Sequence, residues 1–321
     1  MQRQSPNRYT GRMGHKPAFD PGLTQKFDAP LRRAINKDGS FNVRRVGASW
    51  RAFHPWLHVV NMGWSGFVVL VVGFYLALNF GFAALYFSLG ADAVIGSAAP
   101  TEAERLLNCF FFSGHTLTTV GYGTLAPHGV MANVAATIEA LVGLLGFAII
   151  TGLLVARVSR PSARIQYSPN AIVAPYQDGT ALMFRIANER SNNLMELEAQ
   201  VMLMQVVGRK GGNLERKFDL LALERNTVLM FPLTWTLVHP IDENSALYGK
   251  NAEDLIAVQA EIMILVKGFD ETFSQVVHTR YSYRADEIVW GAKFSPAFRV
   301  DATGGMVLEL DKVGDHNLVG Q

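Results

Sequence analysis

Residues 59–91 contain no Asp, Glu, Lys or Arg, and their most apolar part, residues 64–87, exceeds what a helix needs to cross roughly 30 Å of hydrocarbon. A second run, residues 130–156, carries Glu139 as its only charge and is also long enough to span. Between them, residues 103–117 have the length of a helix but cannot cross. Pro100 and Thr101 read as the start of that helix, with Glu102 and Glu104 favourably placed in its first turn. The pattern predicts a segment that dips into the membrane and returns. Irregular backbone at that depth is tolerated only where protein encloses it or it lines water, so a pore is implied.

After Pro161 the period changes. Short apolar or alternating stretches at 164–167, 180–187, 195–206, 228–237, 257–266 and 273–283 are separated by turn signals such as Gln177-Asp178-Gly179, and they predict an antiparallel β-sandwich. The clearest alternation puts Met195, Leu197, Ala199, Val201 and Leu203 on one face and Glu196, Glu198 and Gln200 on the other. One short helix is expected at 252–258. The fold class is therefore membrane α plus all-β, in two segments.

Charge sets the orientation. Arg44, Arg45 and Arg51 precede the first span and Arg157, Arg160 and Arg164 follow the second, whereas the connection carries Asp92, Glu102 and Glu104 against Arg105. Positive flanks at both outer ends place both termini in the cytoplasm. Residues 1–48 form a basic, Pro- and Gly-containing arm with little apolar surface, expected to be largely disordered. Residues 49–61 mix Trp50, Phe53, Trp56 and Leu57 with Arg51, His54 and His58, which suits a helix lying on the inner membrane surface. The remaining boundaries are a pore region at 62–160, a cytoplasmic domain at 161–300 and a tail at 301–321. The first apolar run lies far behind a polar arm, so no cleaved leader is expected. A net charge of +2 argues against a nucleic-acid partner, and the single cysteine, Cys109, excludes an intrachain disulfide.

The chemistry is concentrated in Thr119-Val120-Gly121-Tyr122-Gly123, directly behind the re-entrant helix. A cation that sheds its water needs closely spaced oxygen ligands. Backbone carbonyls facing one axis supply them, and glycine readily takes the φ values that turn successive carbonyls inward, which accounts for Gly121 and Gly123. Thr119 adds a hydroxyl at the inner end, and Tyr122 is expected to face away and pack against the re-entrant helix. The end of that helix would aim partial negative charge at the ion. Each chain supplies a quarter of a coordination shell, so a homotetramer is expected. On the second span Phe147, Thr151 and Val155 share one face, with Gly143 above them as a candidate bend. Glu139 must be paired, solvated or protonated. No zinc-type His/Cys spacing, phosphate loop, dinucleotide fingerprint or nucleophile elbow is present, so neither an enzyme nor an organic cofactor is expected, and no span carries the arginine ladder of a voltage sensor.

The filter, the run from Gly152 to Pro161, and Tyr281-Ser282-Tyr283 with Glu287-Ile288-Val289-Trp290-Gly291 together resemble an inwardly rectifying potassium channel of the bacterial KirBac branch, over roughly residues 40 to 300. The resemblance implies a bacterial inner-membrane, multi-pass homotetramer with an immunoglobulin-like cytoplasmic domain. Potassium is expected to bind at Thr119, Val120, Gly121 and Tyr122. Phe147 would stand at the cavity position that is acidic in strong rectifiers, Val155 at the bundle-crossing gate, and Arg157 and Arg160 near anionic or phosphoinositide head groups. Residues 269–276 would form an apical cytoplasmic constriction. Block by barium, magnesium or polyamines is implied. His115 departs from the family, many of whose members carry a carboxylate there, so it and Glu139 are the candidates for filter support.

Overall fold

The computed structural model describes residues 22–23, 26–27, 33–47, 54–159, 163–208 and 214–319, which divide into a helical unit and a β-rich unit. Residues 1–21, 49–53 and Arg160 lie outside them, and with them most of the basic arm and the first part of the expected surface helix.

The helical unit has four helices: α1 (Pro55–Asn61), α2 (Trp64–Ser88), α3 (Glu102–Leu117) and α4 (Gly129–Val158). Pro55 opens α1 at a position where its missing N–H costs nothing. α2 and α4 have mean hydropathies of 2.2 and 2.3 and are long enough to span, within two residues of the apolar runs. Thr101 caps α3 by accepting from the Glu104 N–H at 3.2 Å. Arg105 pins the same end, its guanidinium bonded to Glu102 and lying 3.8 Å from the Phe87 ring centroid at the end of α2. Strands Val94–Ile95 and Ala126–Pro127 pair antiparallel and close the excursion that carries α3. At that closure a Cβ on Gly96 (φ +83°) would meet the Thr124 carbonyl at 2.4 Å, so only glycine fits.

The β-rich unit is a sandwich. One sheet runs Lys26–Phe27, Leu214–Leu221, Leu194–Gly208, Glu261–Asp270, Gln275–Arg284, with Thr227–Met230 also on Leu194–Gly208. The other runs Thr234–Pro240, Gly179–Asn188, Ala171–Tyr176, Ile288–Trp290, with Ile165–Tyr167 also on Gly179–Asn188; the Ala171–Tyr176/Ile288–Trp290 pair is parallel. Leu197, Val201 and Ile262 from the first sheet and Phe184, Ile186 and Leu237 from the second meet in one buried core, the arrangement of an immunoglobulin-like sandwich. The short helix α5 (Ala252–Ala257) carries a reciprocal cap between Asn251 and Asp254.

Several expectations are corrected. Met195 is not on the buried face. Glu196 adopts φ +50°, and a register shift opposite Gly268 puts both Leu194 and Leu197 inward while Met195 turns aside. The stretch 228–237 is two strands, because Pro232 sits in the break between them and cannot donate to a ladder. Residues 257–260 end α5 and turn, and the strand begins at Glu261.

The described part of the basic arm is ordered. The buried Glu261 carboxylate accepts from the Ala34 and Ile35 N–H groups, and Arg33 donates to the Ser282 carbonyl at 2.7 Å and pairs with Glu287. The expected tail is folded as well: Met306–Leu308 pairs with Phe298–Val300 and His316–Leu318 with Ala292–Phe294, while Gln166 donates to the Leu310 carbonyl.

His239 is 4% exposed, with Nδ1 2.6 Å from the Ala222 carbonyl and Nε2 2.7 Å from the Ser245 hydroxyl. Neutral imidazole satisfies both, donating at Nδ1 and accepting at Nε2, and burial holds its pKa below the ordinary 6.5. The unfolded chain therefore takes up the proton first, so stability is fully present above about pH 6.5 and is lost as pH falls below it. The unfolding temperature should drop between about pH 7.5 and pH 5.5, more in the parent protein than in His239→Gln. Equal drops in a thermal melt followed by tryptophan fluorescence would remove His239 from this account.

Candidate ion-conduction site

The loop after α3 has an unusual backbone. Thr119, Gly121 and Gly123 have φ of +58°, +54° and +81°, while Val120 and Tyr122 between them do not have positive φ. In an ordinary extended strand successive carbonyls point to opposite sides. Alternating the sign of φ removes that reversal. The loop's amides are turned back onto α3: Thr119 N–H donates to the Thr116 carbonyl, and Val120 and Gly121 N–H both donate to that of His115, at 2.9 and 3.2 Å. Among the described residues no donor reaches the carbonyls of residues 119–122. A row of free carbonyl oxygens is what remains. The hydroxyl of Thr119 donates to the Thr118 carbonyl at 2.7 Å, and its own oxygen is left as an acceptor. Tyr122 stands edge-on to His115 of α3, ring centroids 4.9 Å apart.

α3 is held by a buried polar junction. Glu139, fully buried on α4, accepts from the Tyr86 hydroxyl of α2 at 2.7 Å and from the Ser113 hydroxyl of α3 at 2.5 Å. The Ser113 hydroxyl also lies 3.2 Å from the Asn79 carbonyl oxygen of α2. A lone carboxyl in an apolar span had to find such partners. Tyr86 and Ser113 were missed in the sequence, although hydroxyls in the neighbouring apolar segments were the available signal.

One turn further along α4, a Cβ on Gly143 would fall 2.1 Å from the Leu117 carbonyl oxygen. Gly143 is there for close approach of α4 to the end of α3, a role different from the expected bend. Below it Phe147 is 72% exposed in the single chain and lines a cavity of about 400 Å³ with Thr118 and Thr119. Thr151 and Val155 are exposed on the same helix.

Arg157 has a different place from the one expected. Its guanidinium donates to the carbonyls of Val59, Val60 and Met62 at 2.7, 3.1 and 2.7 Å, capping α1, and lies against the rings of Trp64 and Phe67. With these donors on backbone carbonyls, it ties α4 to the α1–α2 corner.

Two apolar spans around a re-entrant helix, ending in a row of free carbonyls, define a membrane ion channel. A family model described as the inward rectifier potassium channel C-terminal domain matches residues 165–319, and an ion channel model matches residues 63–160. The chain is 36% identical to the inward rectifier potassium channel Kirbac3.1 of Paramagnetospirillum magnetotacticum, over 87% of this chain and 94% of that one. It is 29% identical to human inward rectifier potassium channel 4, over 64% of this chain and 50% of that one, and 26% identical to human ATP-sensitive inward rectifier potassium channel 15, over 87% and 80%. The chain belongs to the inward rectifier potassium channels, and is a transport protein and not an enzyme.

The close approach at Gly143 is testable. Glycine to alanine within a helix ordinarily gains about 1 kcal/mol. Gly143→Ala should instead lower the melting temperature of the purified protein, whereas Gly146→Ala, whose Cβ meets nothing within 4 Å, should be neutral or stabilising. Equal melting temperatures for the two would remove the close-approach role.

Proposed function

We propose that four copies of this chain surround one potassium pathway in the bacterial inner membrane, both termini cytoplasmic, with Thr119, Val120, Gly121, Tyr122 and Gly123 as the selectivity filter. The observation that carries this reading is the alternation of φ at residues 119–123 together with amides spent on α3. Carbonyls without internal donors are costly at membrane depth unless something else satisfies them, and a dehydrated potassium ion shared among four chains does so. Tyr122 and Val120, 71% and 50% exposed in one chain, are the surfaces that neighbouring copies would cover. His115 supports the filter through Tyr122, and Glu139 through Ser113.

Phe147 and Thr151 would line the cavity and Val155 would form the gate. Anionic lipid would act through Arg160 and the basic residues flanking α1, and Arg157 would contribute by holding α1 to α4. Residues 269–276 remain the proposed cytoplasmic constriction. Liposome uptake should favour potassium and rubidium over sodium and be blocked by barium, and Gly121→Ala should abolish it. Equal sodium uptake through the unaltered protein would defeat the filter reading.

Rectification follows from a side chain this protein lacks. An acidic ring in a low-dielectric cavity concentrates charge and holds a multivalent cation, and a ring of Phe147 does not. Internal spermine or magnesium should therefore block weakly. Phe147→Asp should lower the half-blocking spermine concentration by about tenfold or more in planar bilayers. No gain on that substitution would show that Phe147 does not face the ion pathway.

A further inference from the structure

Asn79 lies on α2 against the end of α3. It is 1% exposed within an apolar span, and its Nδ2 donates to the Tyr75 hydroxyl one turn earlier at 3.3 Å. Among the described residues nothing bonds its Oδ1, which is also buried. A hydroxyl can accept or donate, so turning the amide end for end would leave Nδ2 unpaired instead. Either way the side chain costs stability that a leucine, branched at the same carbon, would not. A buried polar group kept at such a cost calls for a reason outside packing.

The reason lies in what Tyr75 faces. It borders the cavity of about 400 Å³ that Thr118 and Thr119 also line. A Cβ on Gly114 would stand 3.4 Å from the Tyr75 hydroxyl oxygen and 3.1 Å from Asn79 Nδ2, so both polar ends rest on Gly114. The carbonyl of that same residue accepts the Thr118 N–H at 3.1 Å and the Thr118 hydroxyl at 2.6 Å, and these two bonds form the turn from which residues 119–123 leave α3. A tyrosine O–H let loose at this point is a competing donor for the Gly114 carbonyl. It is also a donor for the hydroxyl oxygens of Thr118 and Thr119, whose own protons go to the Gly114 and Thr118 carbonyls. With the Asn79 amide on its oxygen, Tyr75 reaches none of them.

We propose that Asn79 is a positioning residue for ion selectivity: its amide holds Tyr75 off the Gly114–Thr118 turn and so keeps the Thr119 end of the filter free of a competing donor. The proposal rests on the filter reading of residues 119–123.

The test uses the full chain, purified for thermal melts and reconstituted in liposomes for uptake. Asn79→Leu removes the amide and keeps the branched shape. It should melt at the temperature of the parent or higher, while the ratio of potassium to sodium uptake falls about tenfold and barium blocks only at a higher concentration. Adding Tyr75→Phe removes the released hydroxyl and should restore both readings, a rescue that a packing role would not give. An unchanged uptake ratio in Asn79→Leu, a lower melting temperature or failure to fold, or a loss of selectivity that Tyr75→Phe does not reverse would each overturn the proposal. A parent protein with no potassium preference would sink the filter reading and this proposal together, whereas a selective parent with an unaffected Asn79→Leu sinks this proposal alone.

Discussion

A carboxyl group inside a membrane span must be satisfied by its neighbours, and Glu139 is satisfied by two of them at once, Tyr86 on α2 and Ser113 on α3. α3 is short and re-entrant, with no span of its own to hold it at depth. Its first turn is fixed by Thr101 and by Arg105 on Phe87, and its later turns by Ser113 and by the contact of Leu117 with Gly143. The junction therefore sets both the depth and the rotation of α3. Removing the carboxylate would leave the buried Tyr86 hydroxyl unpaired, costing about 1–3 kcal/mol, would leave Ser113 only its longer contact with the Asn79 carbonyl, and would loosen the helix whose carbonyls receive the loop's amides.

That dependence runs one way, from packing to chemistry. Residues 119–123 make no stable structure alone: Thr119, a β-branched residue, stands at φ +58°, where such residues are strained. The backbone holds this shape because His115 and Thr116 take up its N–H groups, and those carbonyls are in place because α3 is. Free carbonyl oxygens are thus a consequence of where the donors were sent.

How much of this could be read from the sequence follows from the range of each interaction. The spans were legible because the absence of charge is a local property, and the loop because its five residues are contiguous. The partners of Glu139 were not, since they lie 26 and 53 positions away and hydroxyls in apolar runs give no period. The order of residues 33–42 depends on Glu261, more than two hundred positions on. Ala171–Tyr176 escaped notice because residues 171–174 are all buried, and a strand covered on both faces has no alternation to detect. Leu214–Leu221 was disguised in the opposite way, by charges such as Arg216 that the fold buries.

α4 combines these constraints along its length. In its N-terminal half Glu139 and Gly143 fix it to α2 and α3, and at its C-terminal end Arg157 fixes it to α1 and the start of α2. Between them Gly146 and Gly152 offer no packed Cβ position, and Phe147, Thr151 and Val155 share one exposed face. Any displacement of Val155 that opens a proposed gate must then be taken up in residues 144–156 if the N-terminal half stays put. It must also either break three hydrogen bonds to α1 carbonyls or carry α1 along. Three charge-assisted bonds and two aromatic faces make the second course the cheaper one. Through one guanidinium α1 becomes the handle of α4.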